Sequence, residues 1–140
     1  MGSRINWDHR WFGRWKETGS RFSLCPSIYD FIEPAINSQY DIASLCRYLE
    51  QAQIVATTSR MNFPCVVTGR IFHGSLSSRT DGVWVWWDDL SHYIKEHALV
   101  IPDGMLSHIQ ANHYLPPLVE DVNVKRFEWP RLSIEAKPLL

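Results

Sequence analysis

The dipeptide Asp81-Gly82 constrains this chain more than any other feature, because it divides "SLSSRTDGVWVWWDD" into two flanks typical of β-strands. An Asp-Gly pair is typical of a two-residue type I′ turn, since both central residues of that turn need a positive φ. Thr, Val and Trp on either side favour strand structure. The sequence therefore predicts a β-hairpin in which Thr80 pairs with Val83.

The alternation of a strand assigns the residues after this turn to two faces. Val83, Val85 and Trp87 would lie on one face, which is predicted to be core. Trp84 and Trp86 would lie on the other, opposite Arg and Ser, and that face is predicted to be partly exposed. Two large aromatic side chains there need a cover, which is either another segment of this chain or a partner.

Helical periodicity appears in several segments. In "YDIASLCRYLEQAQ", Asp41 can cap a helix whose apolar residues follow the pattern i, i+3, i+4, i+7, namely Ile42, Leu45, Cys46 and Leu49. Asp88 is expected to cap a second helix with an apolar stripe from Leu90 to His97. "IPDGMLSHIQAN" predicts a last short helix with Met105, Leu106 and Ile109 inward, ended by Asn112 in the left-handed conformation.

Two further segments complete the predicted fold. In "CPSIYDFIEP", Ser27 and Asp30 resemble a capping box, and Pro34 should limit the helix that follows. The range 63–72 is rich in β-branched residues and predicts a strand. The fold class is therefore predicted as α+β, with helices packed on one side of a small antiparallel sheet that contains the Trp-rich β-hairpin.

The N-terminal arm, residues 1–24, is rich in tryptophan and basic side chains. Trp7, Trp11 and Trp15 are spaced four apart, so a helix would place all three on one face. We expect this face to dock on the core of the same domain, although a basic helix that carries tryptophans can also contact a membrane surface.

Charge is distributed unevenly although the formal net charge is only −1. Residues 1–21 carry five Lys or Arg and two Asp or Glu, whereas residues 80–121 carry one base, Lys95, and seven acids. An acidic stretch repels phosphate backbones, so we expect no nucleic-acid partner. It suits a basic protein partner, or else it is a solvated face that binds nothing.

Cysteine and histidine spacing gives no recognised site. The three cysteines are odd in number and lack CxxC spacing, which argues against a disulfide framework or a zinc knuckle. His92 and His97, like His108 and His113, are five apart, and five helical residues turn a side chain by roughly 140°. We therefore expect no metal and no cofactor. Cys65 would be a nucleophile only if the fold brought a histidine to it.

Length and hydropathy limit the class of protein. A chain of 140 residues predicts a single domain, here spanning 1–140 with residues 118–140 as a C-terminal extension. No apolar run approaches the roughly 18–20 residues that cross a membrane, and the N-terminus lacks the apolar region of a signal peptide. A cytoplasmic protein without a membrane partner is expected.

A resemblance covers about two-thirds of the chain, from Cys25 to Pro117. The segments "CPSIYDFIEP", "YDIASLCRYLEQAQIVATTSR", "NFPC", "GSLSSRTDGVWVWWDDLSHYI" and "PDGMLSHIQANHYLPP" resemble a group of small uncharacterised bacterial proteins. That group is associated with polymorphic toxins such as Rhs and type VI effectors, beside which small acidic proteins serve as immunity partners. Its members are expected to carry a proline after the second tryptophan, where this chain has Trp87.

The resemblance and the acidic, aromatic composition predict an immunity protein without enzymatic activity. It would bind a cognate toxin and occlude its active site. Tryptophans are frequent interface anchors, and carboxylates beside them fit a basic groove. The residues predicted to bind the partner are Asp81, Trp84, Trp86, Asp88, Asp89 and Glu96. The alternatives are a small enzyme with a carboxylate or histidine site between residues 81 and 97, and a structural adaptor of a secretion or phage assembly.

Overall fold

The computed structural model describes residues 6–133, and these form an α+β fold as predicted. Two antiparallel sheets have the orders β1-β4-β5 and β2-β3. The helices are α1 (Pro34–Asn37), α2 (Ile42–Gln51), α3 (Leu90–His97) and α4 (Asp103–Ala111). The strands are β1 (Gln53–Thr57), β2 (Met61–Pro64), β3 (Ile71–Gly74), β4 (Ser77–Thr80) and β5 (Val85–Trp87). No helix within these residues is long and apolar enough to cross a membrane.

Helix α2 confirms the prediction made from its periodicity. The Asp41 carboxylate accepts a hydrogen bond from the backbone N–H of Ser44 at 3.2 Å, which satisfies one of the free donors at the helix N-terminus. Leu45 and Leu49 are buried in the main core, and Tyr48 lies beside them. The apolar stripe thus anchors α2, and the same helix packs Tyr48 and Leu49 against Trp86 of β5.

Strands β4 and β5 are antiparallel neighbours, but the two-residue turn predicted between them is wrong. Thr80 pairs with Val85 rather than Val83, so residues 81–84 form the connection. A type I′ turn needs positive φ at both central residues, and only Gly82 has it, at 95°. The Thr80 hydroxyl donates to the carbonyl of Trp84 at 2.7 Å and accepts from the N–H of Gly82 at 2.9 Å. These bonds favour the longer loop.

The face that carries Trp84 and Trp86 is buried rather than partly exposed, whereas Val85 of the predicted core face is buried as expected. Trp84 and Trp86 are buried in the main core, whereas Val83 is 45% exposed. Trp86 stacks on Tyr48 of α2, and its indole N–H donates to the carbonyl of Leu49 at 3.0 Å. The cover required for two large aromatic side chains is therefore supplied by this chain itself.

Residues 6–15 of the N-terminal arm dock on the core as predicted, but they are extended rather than helical, and two short 3₁₀ turns, Lys16–Thr18 and Ser20–Phe22, follow them. The extended segment lies against β5 in a parallel bridge between Trp11 and Val85. The N–H of Phe12 donates to the Val85 carbonyl at 3.0 Å, and the N–H of Val85 donates to the Arg10 carbonyl at 2.9 Å. Extended backbone points successive side chains to opposite sides, so Trp11 and Phe12 enter different clusters. Gly13, with a φ of 117°, interrupts this alternation, and Trp15 joins the same cluster as Phe12.

The densest aromatic packing lies in this N-terminal region and not in a hairpin. Trp7, Phe12, Trp15 and Phe31 meet in edge-to-face contacts, with ring centroids 5.5 Å apart for Trp7 and Phe12 and 4.9 Å for Phe12 and Phe31. Edge-to-face pairs place the positive ring edge against the negative ring face. The arm is therefore an integral part of the main core.

A second, smaller cluster covers the other face of β5. It consists of Trp11, Cys25 and Val85, with Trp87, Phe127 and Trp129 packed against it. Trp87 and Trp129 are 6.1 Å apart in an edge-to-face contact. Segments from both ends of the chain therefore cover the face opposite α2, so β5 is covered on both sides.

Three local predictions differ from the structure. The segment 63–72 is not one strand, because a tight loop, residues 65–70, separates β2 from β3. Ser27 accepts a hydrogen bond from Tyr29, but it opens only a 3₁₀ turn, and Pro34 begins α1 instead of ending a helix. Asn112, expected in the left-handed conformation, has a φ of −87°.

Because the N-terminal arm is packed into the core, we expect its buried tryptophans to contribute strongly to the stability of the fold. We expect Trp15→Ala to lower the free energy of unfolding by about 3–5 kcal/mol, the usual range for truncating a buried Trp or Phe. The half-buried Trp129 is a matched control, and Trp129→Ala should have a smaller effect. The measurement is chemical denaturation followed by circular dichroism. Equal stability of the wild type and a chain lacking residues 1–21 would contradict the integral role of the arm.

Candidate functional site

The carboxylate of Asp81 is a buried hub of hydrogen bonds. Its oxygens accept from the hydroxyl of Tyr48 at 2.6 Å, from the N–H of Val83 at 3.0 Å and from the N–H of Trp84 at 2.8 Å. His108 Nε2 lies 3.5 Å from it. Burial, followed by this carboxylate, raises the pKa of Tyr48. Asp81 therefore organises the loop internally and presents no surface to a partner.

The two tryptophans predicted to contact a partner do not have the required exposure. Trp84 is 3% exposed and Trp86 has no exposed surface. The guanidinium of Arg10 lies 5.3 Å from the Trp84 ring centroid, and Gly104 of α4 contacts the edge of the same ring. The prediction that these side chains point away from the core is wrong, because α2 and α4 both pack against this strand.

Asp88 and Asp89 lie in internal ion pairs rather than on a free acidic face. Asp88 accepts from Arg79 Nε at 2.5 Å and from the N–H of Ser77 at 3.1 Å. Asp89 accepts from Arg14 at 2.8 Å, and this guanidinium also lies 4.6 Å from the centroid of the Trp87 ring. Asp88 was predicted to cap α3, but the residue at that position is Asp89 and its side chain makes no capping bond.

Glu96 is the one residue of the predicted partner set that is exposed. It lies on α3, one turn after His92, and its charge opposes the fall of the His92 pKa. The structure therefore separates the predicted set into a buried group at residues 81–86, two paired aspartates and one free surface carboxylate.

A different part of the surface exposes large apolar side chains beside acids. Leu118 is 84% exposed, Leu115 is 68% exposed, and Val119 lies 3.5 Å from the position that a Cβ on Gly82 would occupy. Val83, which follows Gly82, is exposed as well. Glu120 and Asp121 come directly afterwards and are also exposed. We call this group the 115–121 surface after the segment that supplies most of it. Its members are Leu115, Leu118, Glu120 and Asp121, together with Val83 from the neighbouring loop.

The backbone that leads into this surface is strained. His113 and Tyr114 have φ values of 56° and 57°, in the left-handed region that non-glycine residues adopt at a cost of about 1–2 kcal/mol each. Leu115 donates its N–H to the carbonyl of Asn112 at 2.9 Å, which closes a tight turn. Such strain is found more often at functional segments than elsewhere.

A second constellation joins a thiol and two imidazoles, and we call it the Cys65 cluster: Cys65, His92 and His97. One ligand atom of each residue lies within 4.8 Å of the other two, and Cys65 Sγ is 3.5 Å from His97 Nε2. The centroids of the two imidazoles are 5.2 Å apart. Within the described residues 6–133, these three side chains form the group whose ligand atoms are close enough to hold one metal ion.

The prediction that His92 and His97 diverge by their spacing is wrong. Side chains of a helix lean towards its N-terminus, so that of His97 reaches back over the preceding turn. His97 is also the last residue of α3, because Ala98 adopts a φ of 55°. The ring of Tyr93 contacts both imidazoles, at 5.1 Å and 6.0 Å. Cys65 arrives from a loop 32 residues earlier, which no sequence spacing could indicate.

Burial shifts the pKa of His92 in this cluster and of two cysteines outside it. Burial, followed by the proximity of His97, lowers the pKa of His92, so its imidazole is neutral at pH 7. Its Nε2 is buried without a hydrogen-bond partner among the described residues. Burial raises the pKa of Cys25 and Cys46 to about 11, so both of these thiols stay protonated.

Comparisons with protein families, curated proteins and solved structures give no match for this chain. Function therefore has to be inferred from the two constellations, the 115–121 surface and the Cys65 cluster, together with the sequence resemblance to immunity-type proteins.

The Asp81 hub predicts a stability effect and not a binding effect. Asp81→Ala leaves the Tyr48 hydroxyl and two backbone N–H groups buried without an acceptor, so we expect a loss of about 3 kcal/mol or more. Tyr48→Phe removes only one donor and should lose about 1–2 kcal/mol. Chemical denaturation is the measurement, with exposed Asp8→Ala as the neutral control. If the Asp81→Ala variant were as stable as the wild type but no longer bound a partner, Asp81 would be an interface residue and its internal role would be contradicted.

Proposed function

We propose that this chain is a non-enzymatic binding protein of the immunity type, which neutralises a toxin by covering its active site. The observation that carries the proposal is the exposure of Leu115 and Leu118 on a segment anchored beside the 81–84 loop. Exposed aliphatic side chains rimmed by polar residues are characteristic of interaction sites. The resemblance to proteins found beside polymorphic toxins supports the same class.

The partner is proposed to carry a basic rim around an apolar cleft. From Asp103 to Asp121 the chain has three acids and no Lys or Arg. Asp121 lies 3.7 Å from Arg126, so part of its charge is compensated, whereas Asp103 and Glu120 are exposed. A negative rim of this kind accelerates encounter with a basic surface and adds specificity more than affinity. Toxins that act on nucleic acids have such basic surfaces.

The buried hub gives the proposed interface rigidity. Asp81 fixes the 81–84 loop to α2 through Tyr48, and Asn112 of the segment after α4 donates to the same Tyr48 hydroxyl at 3.0 Å. Val83 and Leu115 are therefore attached to a common internal anchor. A surface already held in its binding conformation loses less entropy on association. The interface proposed here thus differs from the tryptophan face predicted from the sequence, but uses the same loop.

A thiol enzyme is the second candidate, because Cys65 Sγ lies 3.5 Å from His97 Nε2. A nucleophile and its base have to be within hydrogen-bond reach, and these two are. However, Cys65 is only 1% exposed, which leaves a substrate carbonyl no approach to the sulfur. The binding function is therefore the better supported of the two.

The apolar part of the surface is tested by truncation. We expect Leu115→Ala and Leu118→Ala each to weaken binding to the cognate toxin about 10-fold or more, as expected for anchors worth about 1.4–2 kcal/mol. Leu24 is 60% exposed elsewhere and supplies the matched control, Leu24→Ala. The toxin to use is the product of the neighbouring upstream gene, with affinity measured by calorimetry and folding by circular dichroism. Equal loss in all three variants would contradict the specific surface.

The acidic part is tested by charge reversal. Glu120→Lys should slow association about 10-fold at low salt while leaving dissociation nearly unchanged, and the difference should shrink as salt screens the charge. Glu96→Lys, on α3, is the matched control. If Glu96→Lys slows association and Glu120→Lys does not, the interface lies on α3. Surface-based kinetics at several salt concentrations separates the two results.

A further inference from the structure

We propose that Cys65, His92 and His97 bind one zinc ion at a site separate from the partner surface. The site joins the loop between β2 and β3 to helix α3. It needs no other protein ligand, since a fourth position can be taken by water.

The distances within the cluster fit tetrahedral zinc. Zinc binds sulfur at about 2.3 Å and imidazole nitrogen at about 2.0–2.1 Å, so a tetrahedron places S and N about 3.6 Å apart. Cys65 Sγ and His97 Nε2 are already 3.5 Å apart. One ring nitrogen of each histidine and Cys65 Sγ lie within 4.8 Å of one another, so His92 can supply the third ligand.

The scaffold holds these side chains before any ion arrives. The N–H of Val66, directly after Cys65, donates to the Tyr93 hydroxyl at 3.0 Å, which fastens the loop to α3. Within the loop, the N–H of Cys65 donates to the Arg70 carbonyl at 2.8 Å. The ring of Phe72 from β3 contacts the His92 ring at 5.0 Å. A prearranged cage of this kind limits the entropy that binding has to overcome.

The donor set selects the class of ion. One thiolate and two neutral imidazoles suit zinc and copper, whereas magnesium and calcium need oxygen ligands. On binding, the Cys65 thiol loses its proton to solvent and the thiolate partly neutralises the divalent charge. Among the surrounding charges that act on His92, Glu96 and Asp89 favour a cation, and Arg70 opposes it.

Metal coordination explains the cluster better than nucleophilic catalysis does. A substrate needs a path to the sulfur, and Cys65 is almost completely buried. A bare ion needs much less room, and His92 and His97 are only half-buried, so they leave an entry from the α3 side. His92 Nε2 is buried without a hydrogen-bond partner, and an ion bound to this nitrogen would supply the missing interaction. If the ion bound the other ring nitrogen, the ring would have to turn, and Nε2 would leave its buried position.

The test is zinc titration of the full-length chain, freed of metal by a chelator and kept reduced. We expect one zinc per chain, measured by competition with a chromophoric chelator. Co²⁺, used as a spectroscopic substitute, should give a thiolate-to-cobalt charge-transfer band in the near ultraviolet. Cys65→Ser should abolish that band, and His97→Ala and His92→Ala should each weaken binding at least 10-fold.

Matched controls use residues of the same types outside the cluster. Cys46→Ser and His113→Ala should bind zinc as the wild type does, and zinc should raise the melting temperature of the wild type and of these controls. Partner binding measured in excess chelator should be unaffected, so failure of the zinc site and failure of the proposed function give different results.

Three results would overturn the proposal. The first is a wild-type chain that binds less than one zinc per ten chains at micromolar concentrations. The second is a Co²⁺ spectrum without a thiolate band. The third is binding that persists undiminished in Cys65→Ser and His97→Ala, which would locate the ion elsewhere. The first two use the wild type only, so they decide the question even if a variant fails to fold.

Discussion

The buried carboxylate of Asp81 is the interaction on which the rest of this structure depends. It joins the 81–84 loop, through the N–H groups of Val83 and Trp84, to Tyr48 on α2. The Tyr48 hydroxyl in turn accepts from Asn112, directly after α4. A buried carboxylate is stable only when its oxygens are fully hydrogen-bonded, so these elements have to remain together. The packing of the tryptophans follows from this constraint.

The burial of Trp84 and Trp86 changes their role from predicted partner contacts to core residues. The hub brings α2 and α4 against β5, so the two rings fill the main core instead of facing a partner. The opposite face of β5 is covered by Trp11, Trp129 and their neighbours from both ends of the chain. With both faces of the strand covered, surface for a partner remains on irregular segments such as residues 115–121. This is why the proposed interface lies there.

The 115–121 surface and the Cys65 cluster place two different chemistries on one scaffold. The first depends on exposed leucines and acids, and the second on a buried thiol and two half-buried imidazoles. Helix α3 supplies His92 and His97, whereas the Asp81 hub positions the 81–84 loop beside Val119. Because the two groups use different elements, one can be altered without the other. A zinc ion would tighten the β2–β3 loop against α3 and leave the proposed interface in place.

Sequence alone determined what depends on neighbours along the chain. Asp41 and the apolar stripe of α2, the periodicity of α4 and the α+β class follow from local hydrogen bonding and from helical repeats. The strand character of Val85 to Trp87 was predictable from its β-branched and aromatic residues. The docking of the N-terminal arm was predicted from a helical face that the arm does not form. Tertiary structure decided that both faces of β5 are buried, that the arm is extended, and that Asp81 is a hub. It also brought Cys65 to His97, because contacts between residues far apart in sequence depend on the packing of whole elements, which no local pattern records.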